Sequence, residues 1–309
     1  MVNEPALRRE VRALVAGTVR FDEPMARHTS MGVGGNADML IFPKDVDDLR
    51  NVIIFMEKHG ILHMPVGNGT NLIVRDGGYR GALVSLELLK EIEKKGHNGS
   101  GVALFAGAGV LLSRLVDYTI AEALSGLEFC AGIPGSVGGG VRMNAGARGR
   151  EMKDVVSAID LMDCCGKRTT VGSSNLSFEY RRLRLPEGSI ITGATFALGH
   201  GEKDVIRRDI AAKTSLRRKE QPLDARSAGC IFRNPAGGFA GKLIDEAGLK
   251  GRRIGGACVS DRHANYIVNM GNARAGDVIA LMGIIRREVE EKFGVHLETE
   301  VHIIGEDRA

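Results

Sequence analysis

Three stretches concentrate the residues with which this chain could do chemistry. They are TSMGVGGNAD (Thr29–Asp38), PVGNGTNLIVRDGG (Pro65–Gly78) and GLEFCAGIPGSVGGGVRMNAG (Gly126–Gly146). The third holds seven glycines in twenty-one residues. Glycine weakens helices and strands, so a run of this kind serves places where backbone must come close to something else. Loops that mix glycine with small polar residues expose N–H groups able to hold a phosphate. One such loop is more often a plain turn; three in the first half of the chain point to a phosphate-bearing ligand lying on loops. The usual dinucleotide fingerprints do not fit. Gly107-Ala108-Gly109 opens like G-x-G-x-x-G but meets Leu112 at its last position, and no G-x-x-x-x-G-K-[ST] occurs.

Other reactive groups are scattered. FEYRRLRLP sets Arg181 beside Arg182 and Arg184, and the residues alone do not choose among them or exclude a surface basic cluster. The five cysteines, Cys130, Cys164, Cys165, Cys230 and Cys258, are odd in number and form no C-x-x-C. Neither a disulfide framework nor a zinc site is expected; they read as reduced thiols, mostly small core residues. Glu298 and Glu300 would share a face on a strand. Lys242 follows Gly-Gly-Phe-Ala-Gly, which suggests close approach of something, although a helix-surface lysine reads the same.

Charge narrows the ligand class. The 42 basic and 38 acidic residues are well mixed, for a net charge of +4. The densest basic run is Arg217-Arg218-Lys219, and there are four tyrosines and no tryptophan. This excludes a nucleic-acid stripe and base-stacking platform and favours a small anionic ligand. No apolar run approaches the ~20 residues of a membrane span. The N-terminal MVNEPALRREVRALVAG carries acids and a helical pattern, unlike a secretory signal. A cytoplasmic protein without membrane insertion is expected.

The elements that must position these groups are legible in outline. Leu7, Val11, Leu14 and Val15 make one helical face. Asp45 caps a helix with Leu49, Val52, Ile53 and Met56 inward, stopped at Gly60. Further helices are predicted over Leu112–Leu124 and Lys203–Glu220, the latter ended by Pro222. Asp277 is the expected cap of a last helix that turns Val278, Leu281, Met282, Ile285 and Val289 inward and ends at Gly294. β-rich runs lie at Ala37–Phe42, Gly81–Leu86, Val102–Ala106, Val155–Met162, Ile190–Leu198, Tyr266–Asn269 and Val301–Ile304. Without strict alternation the class is α+β rather than doubly wound. The best boundary follows Glu220.

The glycine loops resemble those of the flavin-binding region of the UDP-N-acetylenolpyruvoylglucosamine reductase family, at Thr29–Asp38, Gly67–Val74 and Gly126–Ala147. The likeness continues in order through Tyr180-Arg181, SAGCIFRNP (Ser227–Pro235), AGKLIDEAGLKG (Ala240–Gly251), HANYIVN (His263–Asn269) and LETEVHIIG (Leu297–Gly305), covering nearly the whole chain. It implies a two-part FAD-binding region of the vanillyl-alcohol-oxidase/PCMH type, 1–80 and 81–220, and a C-terminal α+β substrate-binding domain, 221–309. It also implies non-covalent FAD with its pyrophosphate on main-chain amides. The matching cofactor positions are Gly67, Asn68, Gly69, Thr70, Asn71, Gly132, Ile133, Pro134, Gly135, Ser136, Gly138, Gly139, Asn144, Ala145 and Gly146.

The family reduces the enolpyruvyl group of UDP-N-acetylglucosamine enolpyruvate to give UDP-N-acetylmuramate for the bacterial cell wall, with NADPH as hydride donor. That chemistry needs a donor for the enolate-like charge, a proton donor and a basic diphosphate site. The resemblance sets Arg181 beside the substrate carboxylate, Cys230 as the proton donor where many relatives have serine, and Glu300 as the C-terminal acid. A thiol of pKa ~8.5 is a far stronger acid than an alcohol, so the exchange is workable. The usual proline before that acid is Thr299 here, and the Val301 that follows favours Glu300 over Glu298. For substrate the expected residues are Tyr180, Lys219, Asn234, Lys242 and Asn265. The short segment from Tyr180 to Thr192 marks the shorter type of the family, without a tyrosine-bearing insertion. Arg148 and Arg150 stand where relatives carry small or polar residues. A monomer or weak dimer is expected. One rival is an FAD-dependent oxidase or dehydrogenase of the same fold with another substrate, its flavin tethered through His28 or Cys130. Others are a non-catalytic nucleotide-sugar binder, which needs no acid–base set, and an interaction module, which would carry no FAD.

Overall fold

Helix α1 (Pro5–Leu14) buries Val11, and Val15 leaves it in extended conformation. In α2 (Val46–Lys58) the Asp45 side chain accepts the Asp48 amide, and Leu49, Val52, Ile53 and Met56 are buried, as the sequence predicts. The computed structural model describes residues 4–98 and 101–308. The chain divides into two compact units, each of several segments. The first is Met1–Arg20, Met39–Asn68 and Gly81–Leu216; the second is Phe21–Asp38, Gly69–Arg80 and Arg217–Ala309.

The first unit is built on a sheet with strand order Arg168–Gly172, Val156–Met162, Ile190–His200, Gly101–Gly107, Ile92–Asn98. Its central strand is buried from Ile190 to Ala194 and is paired on both edges from Gly193 to Phe196. Helices α3 (Leu112–Ala121) and α4 (Val137–Arg142) complete a core with Leu104, Leu115, Val137, Val141, Met152 and Phe196. The expected helix to Leu124 stops early. Ala123 takes a left-handed φ of 52°, and Leu124-Ser125 then pairs with Gly199-His200 as a short strand.

Helix α5 (Lys203–Glu220) runs from the end of the first unit into the second. The second unit carries a four-stranded sheet ordered Arg226–Cys230, Tyr266–Asn269, Ala257–Val259, Arg253–Ile254. Its helices are α6 (Ala240–Glu246) and α7 (Ala275–Phe293). The predicted inward face of α7 is buried, and Gly294 ends the helix at φ 67°. A parallel pair joins Leu72–Val74 to His302–Ile304.

The expected cap Asp277 is corrected. It lies inside the first turn, where its carboxylate accepts the Arg274 amide at 2.9 Å and the Gly256 amide at 3.2 Å. The amides of Ala275 and Gly276 are met instead by Asp76, at 3.0 and 2.8 Å. A carboxylate facing the first free amides satisfies donors the helix cannot. Asp76→Ala is therefore expected to lower stability by about 1–2 kcal/mol. An unchanged midpoint in urea unfolding would show that water replaces the cap without cost.

Candidate active site

The first unit gathers the long glycine loop around α4. The α4 glycines divide by task. A Cβ on Gly138 would lie 2.9 Å from the Ala108 Cβ, and one on Gly140 would lie 3.1 Å from the Met152 Cε. These two give close packing rather than room for a ligand. A Cβ on Gly139 would meet only Ser136 Oγ, at 3.8 Å, and one on Gly67 only the same oxygen, at 2.7 Å. Gly67, Asn68, Gly132, Pro134 and Gly139 are exposed, while Ile133 and Gly135 are half-buried. The amides of Val137 and Gly138 bond the carbonyls of Val110 and Ala108 at 2.8 and 2.9 Å. Main-chain donors for a ligand would come from other positions of the loop.

Ser136 Oγ is the informative atom. It is buried and, among the described residues, has no hydrogen-bond partner. An orphaned buried hydroxyl costs about 1–3 kcal/mol unless something meets it. Here it faces two positions that lack side chains. The pattern fits a polar, phosphate-bearing cofactor such as FAD.

Asn144 is fully buried with φ 41°. Its side chain donates to Glu151 Oε2 at 2.9 Å and to the Glu179 carbonyl at 3.0 Å, and accepts the Lys153 amide at 3.0 Å. It shapes the loop and ties it to the hairpin Ser177–Glu179/Arg182–Arg184. Tyr180 and Arg181 form the hairpin's two-residue tip. Arg181 has φ 57°, a conformation costly for a side-chain-bearing residue and one that concentrates at functional positions. Its guanidinium stands 5.3 Å over the Tyr180 ring and donates to the Gly146 carbonyl at 3.4 Å. Ala145 and Gly146 are half-buried beside it. Of the basic cluster, Arg181 reaches the glycine loop, whereas Arg184 pairs with Glu179 at 2.5 Å. Arg142 donates to the Leu183 carbonyl, and burial, then Arg182, lowers its pKa. Arg148 and Arg150 are exposed, and Arg150 stands 3.7 Å from Asp154.

The second unit holds the other candidates. Gly69 has φ 62°, and a Cβ there would lie 2.0 Å from the His28 carbonyl, so the second glycine loop lies directly on the first. Thr70 is half-buried. Asn71 donates to the Glu300 carbonyl at 3.1 Å and accepts the His302 amide at 3.0 Å, which fixes the C-terminal segment. Cys230 ends its strand after a register shift between Ser227 and Cys230, with Gly229 at φ 77°. Such irregularities re-aim side chains and favour active sites. Cys230 is paired across the strands with Tyr266.

Glu298 and Glu300 do not share the strand expected of them. Residues 298–300 run irregularly, with a bridge between Thr299 and Phe232. Glu298 is exposed and 3.6 Å from Arg233, while Glu300 is half-buried and lies within electrostatic reach of Tyr266.

The expected substrate residues are placed unevenly. Asn265 is buried and clamps Phe232, accepting its amide at 3.0 Å and donating to its carbonyl at 2.7 Å. Asn234 is exposed, and its side chain accepts the Ala240 amide at 3.1 Å. Lys242 is exposed, 3.7 Å from Glu246. What approaches Gly241 is His263, whose Cε1 would lie 3.1 Å from a Cβ there. Burial lowers the His263 pKa. Lys219 is exposed near the end of α5. Tyr266, the cross-strand partner of Cys230, and Arg217, within electrostatic reach of Tyr266, are not singled out by the sequence. Tyr266 is read there only as part of a strand and of HANYIVN, and Arg217 only as part of a basic run.

Residues 221–304 match the model of the UDP-N-acetylenolpyruvoylglucosamine reductase C-terminal domain, and residues 37–172 match that of an FAD binding domain. A protein named UDP-N-acetylenolpyruvoylglucosamine reductase from Syntrophus aciditrophicus is 48% identical over 97% of this chain and 96% of its own. One of the same name from Listeria welshimeri is 41% identical over 94% of this chain and 96% of its own. The crystal structure of the reductase from Thermus caldophilus superposes with a TM-score of 0.78 at 35% identity, covering 93% of this chain and 98% of that one. With such likeness along almost its whole length, the chain belongs to the UDP-N-acetylenolpyruvoylglucosamine reductase family.

Proposed function

We propose that this chain reduces the enolpyruvyl group of UDP-N-acetylglucosamine enolpyruvate to the lactyl ether of UDP-N-acetylmuramate. The observation that carries this reading is the match of residues 221–304 to the reductase C-terminal domain, the segment that holds Cys230. FAD, when bound, would supply the redox chemistry that couples NADPH oxidation to reduction of the substrate double bond. The residues of the chain do the rest. Gly67, Gly139 and the Ser136 hydroxyl give the cofactor's polar part its seat, and Asn68 and the Gly132–Gly135 turn border it.

Charge builds on the substrate carbon next to the carboxylate. Arg181 stabilises it, since a guanidinium stays cationic and can hold a carboxylate with two donors. Cys230 gives its thiol proton to that carbon: the S–H bond breaks, a C–H bond forms, and the sulfur keeps the electron pair. Glu300 assists the transfer. Tyr180, Lys219, Lys242, Asn234 and Asn265 bind the substrate, and Asn234 and Asn265 also order the segment that presents it. The functional division is two FAD subdomains, 1–80 and 81–220, and a substrate domain, 221–309. Work in the cytoplasm as a monomer or weak dimer belongs to the same reading. Among the described residues no helix is long and apolar enough to cross a membrane.

The tethered-flavin rival gains nothing here: Cys130 is 1% exposed within the core, and His28 Nε2 lies 2.8 Å from Glu23 Oε1. The test is an anaerobic absorption spectrum of the purified protein. NADPH is expected to bleach a flavin band, and UDP-N-acetylglucosamine enolpyruvate to restore it. Bleaching without recovery would mean another substrate, and a colourless protein that takes up no FAD would end the reading.

A further inference from the structure

Tyr266 has no role assigned above, yet it faces Cys230 directly. The two are Cα partners on antiparallel strands, an arrangement that sets side chains on one face within contact. The Tyr266 phenol lies within electrostatic and hydrogen-bonding reach of the Cys230 side chain. Tyr266 is 6% exposed, and the His263 ring packs edge-on against it at 5.0 Å between centroids, which fixes the phenol in place. The other charged groups that reach it are Arg217, from the end of α5, and Glu300, from the C-terminal segment.

Resting on the reading of Cys230 as proton donor, we propose that Tyr266 is a positioning residue for proton delivery, holding the Cys230 thiol in one orientation and donating its O–H to the thiolate left behind. The chemistry balances simply. Cys230 loses a proton to the substrate carbon and becomes a thiolate, the Tyr266 O–H stabilises that anion, and a proton from water restores the thiol. Tyr266 never gives up its own proton. Burial, then the neighbouring Cys230, pushes its phenol up, and Glu300 adds to this against the opposing pull of Arg217. Hydrogen bonds to an ionised acceptor are roughly twice as strong as neutral ones, so the donor favours the thiolate and makes Cys230 the stronger acid.

The test reads the thiol itself. Alkylation of Cys230 by iodoacetamide, followed site by site by mass spectrometry across pH, reports its thiolate fraction. In Tyr266→Phe the midpoint is expected to rise by about one pH unit, which means ~10-fold slower alkylation at a fixed pH below both midpoints. Reoxidation by the sugar nucleotide should slow comparably, with KM unchanged. An unchanged midpoint in a folded Tyr266→Phe protein would overturn the proposal. Should that variant not fold, protein labelled throughout with 3-fluorotyrosine keeps every side chain and has a more acidic, stronger donor. Its Cys230 midpoint should fall, and an unmoved one would again overturn the role. Alkylation needs neither substrate nor NADPH, so it stands apart from the anaerobic spectrum that decides the reductase reading.

Discussion

Cys230→Ala is expected to bleach with NADPH at the wild-type rate and then to recover ~10²–10⁴-fold more slowly when the sugar nucleotide is added, the usual contribution of a positioned general acid. The side chain is small and half-buried at a strand end, so its loss leaves little cavity and the fold should persist. The split between the two halves of the reaction separates proton delivery from cofactor binding, because a damaged cofactor seat would slow both. Cys230→Ser should retain measurable turnover, since an alcohol serves many relatives at this position. Recovery of the alanine variant at the wild-type rate would remove Cys230 from the mechanism and leave Glu300 as the acid to examine.

A second large effect is expected at Gly67. Its φ lies outside the left-handed region, so a side chain there strains no backbone. A Cβ would nevertheless stand 2.7 Å from Ser136 Oγ and fill the space that oxygen faces. Gly67→Val should give a folded protein that purifies colourless, with FAD affinity reduced by about 10–100-fold, as overpacking by 1–3 kcal/mol implies. Gly283→Ala, in α7 and outside the seat, is the control. Its Cβ would meet nothing within 4 Å, and alanine suits a helix better than glycine, so yellow protein is expected. Equal FAD retention in both variants, read by equilibrium titration, would show that the cofactor does not use this seat.

Much of the framework was readable because local chemistry decides it. The apolar faces of α2 and α7, the Asp45 cap and the Gly294 stop follow from spacing and capping within a few residues. What failed did so through distance. The carboxylate that caps α7 comes from Asp76, about which no local rule speaks, and so Asp277 was expected in its place. The run Gly138-Gly139-Gly140 reads as one uniform feature, yet helix geometry turns its outer members toward Ala108 and Met152 and leaves the middle one open. Asn144 and Asn265 have the composition of ligand contacts, and their side chains also hold the protein together, Asn144 through Glu151 and backbone groups and Asn265 through the Phe232 backbone. Residue types do not separate the three arginines after Tyr180; the family resemblance picks Arg181, and the hairpin shows why it differs, since it alone sits at the left-handed tip. Tyr266 stayed hidden because a strand residue's partner is set by register, which composition does not report.

The parallel pairing of Leu72–Val74 with His302–Ile304, together with the Asp76 cap on α7, has a consequence for biosynthesis. The apolar strand leaves the ribosome well before its partner, which follows only at His302–Ile304. At about 5–20 residues per second it waits on the order of tens of seconds with an unsatisfied hydrogen-bonding edge, the kind of edge that templates aggregation. Nascent chains stalled before residue 302 should therefore be the form that chaperones hold longest.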